Sequence, residues 1–124
     1  MKEYNILVVD DSTTNIVLLE AIFEDKGYKI DTALNVNEAI HSMSKTLPDL
    51  ILLDLLMPKI SGFEFLDQIR KDNNSKRIPV IVISALTDNE SIARIRNMGA
   101  VEFISKPVDI SYLISLVEKT LRKI

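Results

Sequence analysis

The sequence predicts an α/β domain: a doubly wound, five-stranded parallel sheet with strand order 2-1-3-4-5. Three observations carry it: short apolar runs, stretches of helical periodicity between them, and the alternation of the two kinds along the whole chain. A (βα) unit repeated five times needs crossover connections, which give a parallel sheet with right-handed turns.

The first strand is the unbroken apolar run Ile6 to Val9, as expected of a strand covered on both faces. Ile16, Leu19, Ile22 and Phe23 then fall on one helical stripe, and the helix stops at Lys26-Gly27, where glycine can take a left-handed cap. Tyr28 to Ala33 alternates apolar and polar residues, which suits a half-exposed strand at a sheet edge. Val36, Ala39, Ile40, Met43 and Leu47 predict the buried stripe of a second helix; His41 lies off it and faces solvent. Leu50 to Leu53 and Val80 to Ile83 are again unbroken and belong inside the sheet. Ser61 with Glu64 and Thr87 with Glu90 match the capping-box pattern and start helices three and four, the latter ending at Gly99. Val101 to Ile104 alternates and forms the other edge, and Ile110, Leu113, Ile114, Val117 and Leu121 make the stripe of the fifth helix. Met43 and Met98 read as core filling.

Composition sets limits rather than a function. The 124 residues fit one domain, 1–124, able to bury roughly two thirds of its unfolded surface. With 15 Lys+Arg against 18 Asp+Glu, and the basic residues scattered in pairs, a surface that tracks nucleic-acid phosphates is not expected. The absence of cysteine excludes disulfides and thiolate chemistry and agrees with a reducing compartment. No segment reads as a signal peptide or membrane span, so the expected location is cytoplasmic, with no membrane partner.

In the predicted order the chain reverses direction between strands one and three, and open α/β sheets bind ligands at the carboxyl ends of strands beside such a reversal. Reading just past each strand gives Asp10 and Asp11 after the first, Asp54 after the third, Ser84 after the fourth and Lys106 shortly after the fifth. Crowded carboxylates repel one another, so the cluster calls for Lys106 and a hard divalent cation; oxygen-only ligation suits Mg2+. An ionised aspartate can attack phosphorus and hold the group as an aspartyl phosphate, and Asp54, fixed by four preceding apolar residues, is the candidate. Lys106 and the Ser84 hydroxyl would then pair with phosphoryl oxygens. Taken singly, Asp10 and Asp11 could instead cap the first helix, Ser84 could be a turn residue, Lys106 a surface lysine and Phe103 a core aromatic.

Asp10-Asp11, Asp54-Leu-Leu-Met-Pro, Ser84-Ala85, Gly99-Ala100 and Lys106-Pro107 together resemble the receiver domains of two-component response regulators, nearly end to end. The resemblance implies a flavodoxin-like (βα)5 fold. It also implies Mg2+ bound by Asp11, Asp54 and the Leu56 backbone carbonyl, with Asp10 acting through water. Phosphoryl groups would come from a histidine kinase, a phosphotransfer protein or a small acyl phosphate. Ser84 and Phe103 would be the switch pair, reshaping a face of helix four, strand five and helix five that meets a downstream protein, with homodimerisation on phosphorylation left open.

Ser stands at 84 where Thr is frequent and Phe at 103 where Tyr is frequent; Val101-Glu102 and Val108 also depart from the usual pattern, which bears on the output partner. Leu56 and Leu86 carry no polar group to orient an attacking water, which predicts slow autodephosphorylation; a half-life unmoved by Leu56→Asn or Leu86→Glu would overturn that. Two other functions compete. An aspartate-nucleophile phosphatase usually carries a second acid two residues after the nucleophile, where this chain has Leu56. A receiver-like module that binds partners without phosphorylation would not require all three acids and Lys106.

Overall fold

The computed structural model describes residues 3–55, 62–85 and 88–123. Strands β1 (Asn5–Val9), β2 (Lys29–Ala33), β3 (Leu50–Asp54), β4 (Val80–Ser84) and β5 (Glu102–Ser105) alternate with helices α1 (Thr13–Asp25), α2 (Val36–Lys45), α3 (Gly62–Lys71), α4 (Asn89–Asn97) and α5 (Ile110–Arg122). All strand pairs are parallel, in the order β2-β1-β3-β4-β5. The predicted architecture therefore stands. Tyr28 and Val101 fall just outside their strands, while Asp54 and Ser84 are the last residues of theirs rather than the first beyond them.

Alternation along the strands divides the core in two, because successive side chains point to opposite faces. Ile6, Val8, Leu50, Leu52, Ile81 and Ile83 pack against α1 and α5. Leu7, Val9, Ile51, Leu53, Val80 and Val82 pack with Phe65, Leu66, Ile69 and Ile95 of α3 and α4. Every residue of β3 and β4 is buried, which explains their unbroken apolar runs. Each large side chain so covered contributes about 1.5–3 kcal/mol relative to exposure.

Local signals end the helices as the chain predicts. Gly27 and Gly99 adopt φ of 93° and 89°, the left-handed conformation in which a side chain would be strained. At the other ends, short polar side chains accept from the first turn: Ser12 for α1, Asn35 for α2, Asp88 for α4 and Asp109 for α5. The α4 cap is thus Asp88, one residue beyond the predicted Thr87; Thr87 itself, like Ser61, lies outside the described residues. Around α2 the capping box is Asn35 with Glu38, whose carboxylate accepts from the Leu34 amide at 2.9 Å.

The α2 stripe is narrower than the periodicity predicts. Val36 and Ala39 are buried and Met43 half-buried, but Ile40 and Leu47 are 45% and 47% exposed. Leu47 cannot lie on the stripe, because Thr46 has already left helical geometry at φ −147°, ψ 120°. Ile40 lies at the outer margin, over a groove shared with Phe65 and Ile69 of α3. His41 is exposed, as predicted.

Candidate functional site

The carboxyl ends of β1, β3 and β5 deliver the charged residues. Asp10 follows Val9, Asp54 ends β3 and Lys106 follows Ser105. By strand alternation Asp10 continues the face of Ile6 and Val8, Asp54 that of Leu50 and Leu52, and Lys106 that of Ile104, so all three belong to the α1–α5 side. Asp10 and Asp54 are only 5% and 4% exposed. Such burial is costly for a carboxylate without partners.

Partners are present. Asp10 accepts from the Ser12 amide at 2.9 Å and from the Asn15 side-chain amide at 3.4 Å. Lys106 donates from Nζ to Asp54 Oδ2 at 3.1 Å and stands 3.7 Å from Asp10 Oδ2. Its position is set by the sheet, since its own amide donates to the Ser84 carbonyl at 2.9 Å. The Lys106–Pro107 peptide is cis. Burial acts to lower the Lys106 pKa, but the hydrogen bond to Asp54 and the charges of Asp54, Asp10 and Asp11 more than offset it, holding the ammonium above the ordinary lysine value.

One carboxylate oxygen from each of Asp10, Asp11 and Asp54 lies within 4.8 Å of the others, close enough to share an ion. Among the described residues three carboxyl groups face one ammonium, a formal charge that leaves room for a cation, and an all-oxygen donor set is what hard divalent ions take. Capping does not account for the acids, because Ser12 performs that role for α1. The Leu56 carbonyl expected as a further ligand lies outside the described residues, as does Leu86.

Ser84 is fully buried at the end of β4, one position beyond the Asp54↔Ile83 pair. It continues the face of Val80 and Val82, on the α3–α4 side, and half-buried Phe103, paired with Val82, packs into that same core. The structure therefore brings Asp10, Asp11, Asp54 and Lys106 together, with Ser84 and Phe103 on the adjoining face.

Two residues that are not among the predicted site residues also shape this edge. A Cβ at Gly62 would fall 2.5 Å from Leu55 Cα and 2.9 Å from the Asp54 carbonyl, so only glycine lets α3 begin against the end of β3. Its amide donates to the Leu55 carbonyl at 3.0 Å. A glycine at the predicted start of helix three was the available signal for such a close approach. Asn15, three residues past the α1 cap, steadies Asp10. Beside the site an open groove of about 530 Å3 runs along α1 to the start of α5, lined by Leu18, Leu19, Ile83, Pro107, Val108 and Ile110 as well as Asp10 and Lys106.

Among the described residues no helix is long and apolar enough to cross a membrane. The family model for the response regulator receiver domain matches residues 6–118. The response regulator PleD of Caulobacter vibrioides is 36% identical over 117 residues, covering 94% of this chain but 26% of that protein, so the chain spans about a quarter of its length. Protein PilH of Pseudomonas aeruginosa is 31% identical over 116 residues, covering 94% of this chain and 96% of its own. Among solved structures, the signal receiver domain of a signal transduction histidine kinase from Syntrophus aciditrophicus superimposes with a TM-score of 0.90 at 35% identity, covering 98% of this chain and 92% of that one. The topology, the strand-end acids and these similarities agree: the chain belongs to the response regulator receiver domains of two-component systems.

Proposed function

We propose that the chain acts as one receiver unit, residues 1–124, that takes a phosphoryl group onto Asp54 in a Mg2+-dependent step and thereby switches a protein-binding face. The observation that carries this is the position of the Asp54 carboxylate, 3.1 Å from the Lys106 ammonium and within sharing distance of Asp10 and Asp11. In the transfer an Asp54 oxygen bonds to phosphorus while the bond from phosphorus to the donor breaks, and the electron pair leaves with the donor imidazole or carboxylate. Lys106 keeps its proton and holds a phosphoryl oxygen, and the Ser84 hydroxyl donates to another. Asp10, Asp11, Asp54 and the Leu56 carbonyl would hold the Mg2+, which when bound supplies charge neutralisation at the phosphoryl oxygens.

The donor is a histidine kinase, a phosphotransfer protein or a small acyl phosphate, met in the cytoplasm. A protein donor has an apolar landing beside the acids, the groove of Leu18, Pro107, Val108 and Ile110, which shares Asp10 and Lys106 with the site. The output is a shift toward a state in which Ser84 turns to the phosphoryl group and Phe103 turns inward, changing what the α4–β5–α5 face binds. The new charge can bias that equilibrium only by contacting one state better than the other. The protein catalyses nothing beyond its own phosphoryl transfer and the loss of that group to water.

Incubation with Mg2+ and an acyl phosphate, followed by intact-mass measurement, tests the proposal. One added phosphoryl group on the wild type and none on Asp54→Asn is expected. Equal modification of both would refute the assignment of Asp54, while turnover of many different phosphorylated substrates would favour a phosphatase, and no modification at all an inert receiver-like module.

A further inference from the structure

Helix α4 is held unequally along its length. Near its C-terminal end Ile95 is fully buried, the Ala100 amide donates back to the Ile95 carbonyl at 3.3 Å, and the Val101 amide donates to Val80 of β4 at 2.9 Å. Arg70 of α3 adds a fork: Nη1 donates to the carbonyls of Lys76 at 3.2 Å and Ile78 at 2.7 Å, and Nη2 to that of Gly99 at 2.8 Å. A Cβ on Gly99 would fall 2.7 Å from Arg70 Nε, so glycine is needed there for the close approach of the guanidinium as well as for its φ. Burial lowers the Arg70 pKa, in keeping with a cation whose water has been replaced by backbone carbonyls. The half of α4 nearer the site is different. Asn89, Glu90 and Ala93 are exposed and Ser91 and Ile92 half-buried, and the next tie comes only past mid-helix, where Arg94 lies over the ring of Phe63, the second residue of α3, with its Cζ 4.3 Å from the centroid.

We infer that α4 is a lever pivoted on the Arg70–Gly99 contact, with the Arg94–Phe63 stack as the catch that ties the middle of the helix to the start of α3. A planar fork tied to three carbonyls fixes direction as well as distance. A cation over a ring at an exposed position is a weak tie, biasing a two-state population by about twofold to fivefold. The signal that moves the lever rests on the phosphoacceptor reading; the pivot stands on the geometry alone.

Amide exchange on the full chain, free and with Mg2+ plus beryllofluoride, tests both parts. In the free wild type the amides of residues 92–94 should exchange roughly tenfold faster than those of Ala100 and Val101. Beryllofluoride should change the first group and leave the second within about twofold. Arg70→Met, and Arg70→Lys, whose single ammonium cannot span three carbonyls, should bring Ala100 and Val101 toward the faster rate. Phe63→Leu should raise the apparent beryllofluoride affinity by about twofold to fivefold and keep those two amides protected. Uniform exchange along α4, or protection that survives both Arg70 substitutions, overturns the pivot. Unchanged beryllofluoride affinity in Phe63→Leu overturns the catch. A wild type with the free-state gradient but no response to beryllofluoride supports the pivot and overturns the phosphoacceptor reading instead.

Discussion

On the face covered by α1 and α5, both helices are anchored by several buried side chains, Ile16, Leu19 and Phe23 in one and Leu113, Val117 and Leu121 in the other; α4, on the opposite face, buries Ile95 alone. The site residues divide along the same line. Asp10, Asp54 and Lys106 continue strand positions on the well-anchored face, whereas Ser84 and Phe103 share the face that includes α4. Under the proposed function, charged groups that share one ion and one phosphoryl group would need fixed relative positions. An element that reports their state needs two packings close in free energy, which a helix with a single buried residue can supply.

The comparison can be broken first at its chemistry. Lys106→Met removes the only ammonium within 4 Å of Asp54 among the described residues, and should slow phosphorylation by an acyl phosphate on the order of a hundredfold. A rate within about threefold of wild type would mean that Lys106 is a structural ion pair and not part of the transfer. Next comes the anchored face. Leu113→Ala empties a fully buried position and should lower global stability by about 2–5 kcal/mol in urea, whereas Ala93→Gly, on the exposed side of α4, should cost about 1 kcal/mol. Similar losses for the two would erase the asymmetry. The smallest effect is alkaline. Because the folded Lys106 pKa lies above its unfolded value, near 10.5, the ammonium adds stability in full below that value and loses it as pH rises through the folded pKa. Lys106→Met should flatten the stability curve in that window, and an unchanged slope would count against the coupling to Asp54.

Much of the fold and the convergence of the candidate site's acids and lysine are legible in the chain, for physical reasons that differ by element. Interior strands announce themselves because both faces are covered, so β3 and β4 are apolar at every position before Asp54 and Ser84. Gly27 and Gly99 are legible because few other residues tolerate their φ. Periodicity was less informative for α2, since it counts apolar residues on a stripe without knowing where the helix ends or how far its neighbour reaches. That is why Ile40 and Leu47 were expected inside and are not. The capping box Asn35/Glu38 lies outside the S/T-x-x-E pattern, and the Arg70 fork binds carbonyls distant in sequence, which leave no pattern in the chain. Gly62 could have been suspected, but what it makes room for, the end of β3, is visible only in three dimensions.

The most direct measurement concerns which carboxylate carries the phosphoryl group. An acyl phosphate is reduced by borohydride to an alcohol, so treatment of protein phosphorylated in the presence of Mg2+, followed by peptide mapping, should place a homoserine at position 54. A homoserine at 10 or 11, or unreduced acids throughout a preparation whose mass shows the phosphoryl group, would contradict the account.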